Sequence, residues 1–221
     1  MSKKRCAIPP ILAEALSCEG LHAEKLDFSQ LLHVAVQKSD VKITCYQRDA
    51  MGFWAPNEDT GNIHGFVGIH GLSTVKREGD GCTPVGLYRL GFAFGNKPKA
   101  DTLMPYRPVT VNSCWVDDPH SAHYNTWAEG GENGDWVSAE QLADYPEEYA
   151  FAVTIGYNMR RIPKCGSAIF MHCGHQPTAG CVAMPKNNLL AVLKWLDPGK
   201  MPSILIAKYP FIYCQARYSL L

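Results

Sequence analysis

From Gln30 to Phe94 the chain is cut into short apolar runs, each closed by Gly, Pro or a polar turn, and this punctuation constrains the fold more than any other feature. Leu31, Leu32, Val34 and Val36, then Val41, Ile43, Cys45 and Tyr46, read as two strands divided by the polar turn Lys38 to Asp40. Phe53 and Trp54, Phe66 to Ile69, and Val85 to Phe94 continue the series. Such spacing predicts a mainly β domain, a sandwich or a barrel, with a few short helices. Farther along, Phe151, Val153 and Ile155 alternate on one side of a half-buried strand reaching Tyr157. Ala168 to Met171 form a fully apolar strand with His172 at its end, and Ser203 to Ala207 read as a final central strand. Leu189, Leu190, Val192, Leu193 and Leu196 recur at helical spacing, one face of a helix stopped by Pro198-Gly199.

Three stretches lie outside this pattern. Residues 11 to 26, following Pro9-Pro10, suit a short helix within an N-terminal appendage of residues 1–27, leaving 28–221 as one domain. Ser138-Ala-Glu-Gln141 fits a capping box, which predicts a short helix starting there and ending before Pro146. The segment from Asn112 to Trp136, rich in Trp, Tyr, His, Asn, Asp and Gly, is either a groove wall or a surface loop pinned by its own aromatics.

Charge and cysteine usage remove whole classes of function. Lys plus Arg equals Asp plus Glu at 21 each, so no net field holds a polyanion and no nucleic-acid partner is expected. Nine cysteines, an odd count without a C-x-x-C pair, argue against a disulfide framework or a zinc ribbon. No metal or cofactor is expected. The start Met-Ser-Lys-Lys-Arg is basic like a secretory signal, but Pro9, Pro10 and Glu14 interrupt the apolar stretch that follows. No apolar run approaches the roughly 20 residues of a membrane span, and oligomeric state is not legible.

The chemistry concentrates in Gly166-Ser-Ala-Ile-Phe-Met-His172-Cys-Gly-His175-Gln-Pro-Thr-Ala-Gly-Cys181. A strand delivers a histidine, a Gly- and Pro-containing loop turns back, and a cysteine follows a glycine shortly before a helix. A thiol of pKa about 8.5 is mostly protonated at neutral pH and needs an imidazole to take its proton; His172 or His175 can supply it. Gly180 lets a substrate carbonyl approach the backbone N–H groups around Cys181, and such oxyanion donors are worth roughly 3 to 4 kcal/mol each in acyl transfer. The competing readings are a buried filler thiol beside a core histidine, and a metal site built from Cys165, His172, Cys173, His175 and Cys181, whose spacings match no standard zinc pattern.

At this segment the sequence resembles the L,D-transpeptidase (YkuD-type) catalytic domain family, in a branch with a short His-to-Cys loop. The resemblance rests on His172, on Thr178-Ala-Gly-Cys181, on Gly79-Asp-Gly-Cys-Thr-Pro-Val-Gly-Leu-Tyr-Arg-Leu90, and on Trp115 to Pro119, Tyr124-Asn125, Tyr157-Asn158 and Gly166 to Phe170. It implies a β-sandwich-like core and an enzyme acting on peptidoglycan stem peptides at the bond between diaminopimelate and the terminal D-alanine. Carried over, Cys181 is the nucleophile, His172 the base, and the carbonyl of Cys173 or Gly174 orients the imidazole. An amine acceptor would give a 3-3 cross-link or D-amino acid exchange, and water an L,D-carboxypeptidase. Ala179 and Ala183 stand where the family carries polar residues, so contacts to the acyl group or substrate carboxylate fall to Tyr157, Asn158, Thr178, His175 and Arg89 or Arg107. Those two alanines also admit a non-catalytic peptidoglycan-binding module. The resemblance places the protein in the cell envelope or periplasm, with a cytoplasmic enzyme of precursor or recycled peptides as the other reading.

Overall fold

The structure, a computed structural model, describes residues 8–22, 26–130 and 134–209; the basic start at residues 1–5 lies outside them. Helix α1 (Pro10–Cys18) opens with proline in its first turn, where a missing N–H is harmless. Gly20 ends it: at φ +69° its N–H reaches the Ser17 carbonyl at 3.0 Å, while the Leu21 N–H reaches Leu16 at 2.8 Å. These two bonds form a Schellman cap, so the helix stops well short of the predicted residue 26. Leu12, Ala15 and Leu16 are buried in one cluster with Leu31, Tyr46, Trp54 and Leu205, which lays α1 on a face of the main sheet. Cys18 is disulfide-bonded, whereas Cys45, Cys82, Cys114, Cys165, Cys173 and Cys181 are free thiols.

The strands follow in chain order. β1 (Gln30–Gln37) and β2 (Asp40–Arg48) form the predicted hairpin, and β3 (Trp54–Pro56) and β4 (Asn62–His64) both pair with β2. β5 (Leu72–Ser73) and β6 (Thr83–Pro84) make a two-stranded parallel pair. β7 (Gly86–Gly95) is followed by β8 (Tyr106–Pro108) along its edge. β9 (Ser113–Val116), β10 (Thr126–Glu129) and β11 (Ala139–Gln141) form a separate three-stranded sheet with β9 in the middle. β12 (Ala152–Ile155), β13 (Phe170–Cys173) and β14 (Val182–Met184) precede helix α2 (Lys186–Trp195) and β15 (Ser203–Lys208).

The main sheet runs β14-β13-β12-β7-β15-β1-β2-β3, and its two ends are drawn together. After β4, Phe66 exchanges both backbone hydrogen bonds with Ala183 of β14, at 2.8 and 2.9 Å, and Val67 and Ile69 bond Thr178. Curling brings Val34, Ile43, Val153, Met171, Val182 and Ile206 into one buried cluster, which α2 closes with Leu189, Val192 and Leu193. The mainly β architecture is the one predicted.

Local expectations fail where tertiary pairing overrides them. Ser138 does not cap a helix; its hydroxyl donates to the Asp117 carboxylate, and Ala139 to Gln141 pair with β9 before a single 3-10 turn at Leu142–Asp144. β12 is buried on both faces, not alternately, because it lies between β7 and β13 in the middle of a covered sheet. The strand predicted from Ala168 begins two residues later, since Ala168 takes a left-handed φ of +52°.

Candidate active site

Strand alternation puts the two key side chains on one face. In β13, Met171 and Cys173 enter the main core, so Phe170 and His172 face the other way. In β14, Val182 and Met184 enter the same core, and the parallel register sets Met171 beside Val182 and His172 beside Ala183. Cys181, one residue before β14, therefore shares the face of His172 and lies next to Phe170, diagonal to the imidazole. Diagonal neighbours on adjacent strands are within reach of longer side chains.

The thiol is held by backbone. Cys181 Sγ donates to the Ala168 carbonyl at 3.2 Å and accepts the Phe170 N–H at 3.3 Å. Its own carbonyl accepts hydroxyl hydrogens from Thr178 at 2.7 Å and Thr83 at 3.1 Å, which fixes the chain leaving Cys181. Gly180 has a φ of +152°, and a Cβ there would come within 2.9 Å of the Cys82 carbonyl, so no other residue fits without rearrangement. Ala168 is itself braced by Asn125, whose Oδ1 accepts the Ala168 N–H at 3.2 Å and the Trp115 indole N–H at 2.9 Å. The Asn125 amide nitrogen donates to the carbonyls of Tyr157 at 3.0 Å and Asn158 at 3.1 Å, so every hydrogen-bonding position of that side chain is used.

The His172 ring is oriented through Nδ1. Its Nδ1 lies 2.8 Å from the Cys173 carbonyl; a neutral ring must carry its hydrogen on Nδ1 to make this bond, which leaves Nε2 as a proton acceptor. The Tyr149 ring packs edge to face against the imidazole at 5.6 Å between centroids. Burial lowers the His172 pKa from its ordinary value, with the Cys173 carbonyl and the Glu148 charge acting in the opposite sense. Burial pushes the Cys181 thiol up to about 12, and Glu140 adds to that, against the Phe170 N–H and Lys76. At neutral pH the resting pair is thiol and imidazole, both uncharged.

Both side chains line one cavity of about 900 Å³. Cys173, Gly174, His175, Thr178 and Gly180 line it as well. Its rim is acidic: Glu78, Asp117, Glu140, Asp144, Glu147 and Glu148 face it, against Lys76 and Lys186. The Lys76 ammonium is buried and paired with Asp80 at 2.6 Å. Ala183 is fully buried beside His172 in the register of the two strands.

Three predicted contacts lie elsewhere. The Tyr157 hydroxyl donates to the Cys165 carbonyl at 2.6 Å, and the Asn158 side chain staples Ile162 and Gly166 at 2.9 to 3.0 Å. Arg89 bonds Asp27, the Ser203 hydroxyl at 3.0 Å and the Met201 carbonyl at 3.1 Å. Tyr157 and Arg89 line a second cavity, described below. The metal alternative fails on alternation: the Cys173 thiol points away from His172 and donates to the Phe151 carbonyl at 3.5 Å. Among the described residues no three His, Cys, Asp or Glu side chains gather to hold a metal ion. Sequence reasoning missed the Ala168 carbonyl and Phe170 N–H, which are backbone groups, and the bracing by Asn125, although Tyr124-Asn125 stands among the segments of resemblance.

A thiol and an imidazole thus lie on one face of adjacent strands and line one cavity, with a carbonyl fixing the tautomer of the ring. The family model for the L,D-transpeptidase catalytic domain (YkuD) matches residues 33–206, and the chain belongs to that family. The family connects the chain with L,D-transpeptidase-type activity on peptidoglycan. A search of curated proteins found no match. Among the described residues no helix is long and apolar enough to cross a membrane.

Proposed function

We propose that the protein opens the amide between diaminopimelate and the terminal D-alanine of a peptidoglycan stem peptide, with Cys181 as nucleophile. His172 Nε2 takes the thiol proton as sulfur attacks the carbonyl, and the Cys181 backbone N–H behind Gly180 receives the oxyanion. The imidazolium returns that proton to the departing D-alanine amine as the C–N bond breaks, leaving a thioester. An acceptor amine, deprotonated by His172, then attacks the thioester and frees the thiol; water in its place gives the carboxypeptidase product. Burial strongly disfavours the free thiolate at neutral pH. Proton transfer therefore accompanies attack, and no standing ion pair is needed.

One juxtaposition carries the reading: Cys181 and His172 share a face and a cavity, with the imidazole tautomer fixed by the Cys173 carbonyl. The acidic rim supports an ammonium-bearing partner, as both diaminopimelate and an amine acceptor are. Stem peptides of the assembled wall would put the protein in the cell envelope or periplasm, and precursor or recycled peptides in the cytoplasm. Incubation with a carbapenem, read by intact mass, should give one covalent adduct that disappears in Cys181→Ala. A non-catalytic peptidoglycan-binding module is the second reading, favoured by the raised thiol; a folded protein that forms no adduct would decide for it. Product masses from a defined tetrapeptide stem, with and without added amine, distinguish transfer from hydrolysis.

A further inference from the structure

On the other side of the small sheet lies a second cavity, of about 640 Å³, with a different chemistry. β11 borders the thiol cavity, whereas Thr126 and Trp127 of β10, with Trp115 of β9, border this one. Its walls are the half-buried rings of Phe92, Trp115, Trp127 and Tyr157. Arg89, Arg107 and Arg161 line it, and no Asp or Glu does. Arg89 is neutralised by Asp27. Arg107 is not: its guanidinium stacks over Phe92 at 4.1 Å and near Trp127 at 5.8 Å from the ring centroids, and among the described residues no carboxylate pairs with it. Arg161 is likewise without an ion pair among them.

A stacked guanidinium is held flat with its N–H edges free, the arrangement that grips a carboxylate through two parallel bonds. Rings beside it accept methyl and methylene groups. We propose that this second cavity binds the carboxylate-bearing part of a peptidoglycan stem peptide, with Arg107 as its main anchor and Arg161 assisting. The identity of the ligand rests on the peptidoglycan chemistry proposed for Cys181; the cationic, aromatic character of the site does not. A stem peptide fits because it carries several carboxylates among short aliphatic side chains, matching a cavity that offers both kinds of contact.

The test uses the full chain with Cys181→Ala and the tripeptide L-Ala-γ-D-Glu-diaminopimelate as probe. Trp115 and Trp127 line this cavity and no tryptophan lines the other, so fluorescence change on titration reports the second site. The expected result is saturable quenching, weakened at least tenfold by Arg107→Ala, less by Arg107→Lys and several-fold by Arg161→Ala, with the peptide's carboxamide derivative binding poorly. Thermal melts confirm that each variant is folded; Arg161→Ala, on an exposed loop, stands in if Arg107→Ala is not. Equal affinity in Arg107→Ala and Arg161→Ala would overturn the proposal, and so would inorganic phosphate or neutral chitotriose competing as well as the peptide. Carbapenem labelling of the unmutated protein, run in parallel, separates the two claims: an adduct without quenching removes only the second site, and quenching without an adduct removes only the catalytic reading.

Discussion

The two cavities flanking the β10-β9-β11 sheet differ in charge, in wall chemistry and in what holds them. The thiol cavity has six carboxylates in its lining, and its thiol is fixed by backbone groups at Ala168 and Phe170. The second has arginines and aromatic rings with no carboxylate, and its principal cation is held by stacking. A chain with no net charge has thus sorted its charges over a short distance, negative on one side of a small sheet and positive on the other. A stem peptide carries both signs, and two complementary fields orient such a molecule in a way that uniform charge cannot. What the difference teaches is that the nucleophile and base proposed here and the proposed recognition groups line separate cavities, with Trp115 and Asn125 at the second and Asn125 bracing the first.

Breaking the first cavity alone should have the largest effect. His172→Ala is expected to lower the rate of stem-peptide acylation by about 10²- to 10⁴-fold, with fluorescence quenching in the second cavity retained. The pH profile sharpens this. Burial holds the His172 pKa below its ordinary 6.5, so the neutral, active imidazole is already dominant at pH 7, and acylation should be flat from there to pH 8. Alkylation of Cys181 by iodoacetamide needs free thiolate and should instead rise about tenfold per pH unit toward the thiol pKa near 12. If peptide acylation climbed in parallel with alkylation, the imidazole would not be the base.

Asn125 belongs to both regions, since it lines the second cavity and braces Ala168 at the first. Asn125→Ala takes the bonding partner from the Trp115 indole N–H, the Ala168 N–H and the Tyr157 carbonyl, while the Asn158 carbonyl keeps the Arg161 N–H, at a cost of about 1–3 kcal/mol. Freed from this brace, the Ala168 carbonyl no longer fixes the thiol, and a displacement on the order of 1 Å costs up to ~10²-fold in rate. Denaturant unfolding and acylation kinetics should show both losses together. Full rate with lost stability would make Asn125 structural only.

These two tests bear on how much of the molecule its sequence reveals. The strand ending in His172 and the Gly180-Cys181 step were legible because alternation and a side-chain-free residue before a nucleophile leave marks in residue type. The Ala168 carbonyl was not, because an alanine in a left-handed conformation looks in sequence like any apolar strand residue. Ser138 misled because Asp117, far along the chain, captures its hydroxyl, and no local motif records that competition. Tyr157, Asn158 and Arg89 were polar and plausibly placed, but which side of the β9-centred sheet they serve depends on its register with β10 and β11. Sequence shows which residues are reactive more readily than where the recognition groups face.

The smallest effect should come from thinning the acidic rim. Glu148 is exposed, lines the thiol cavity and raises the His172 pKa through its charge. Glu148→Gln removes that support, so His172 gives up its proton at lower pH and the acidic limb of kcat/KM should move to lower pH. The same change weakens the field that draws an ammonium toward the thioester. Exposed charges are screened by salt, so KM for an amine acceptor should rise only about two- to fivefold at low ionic strength, the difference fading near 0.5 M salt. Binding at the second cavity, where the anchors are arginines, should weaken with added salt in the unmutated protein too. A Glu148→Gln variant whose acceptor KM fell would mean that the rim repels the acceptor, and the division of charge between the two cavities would then not reflect one substrate carrying both signs.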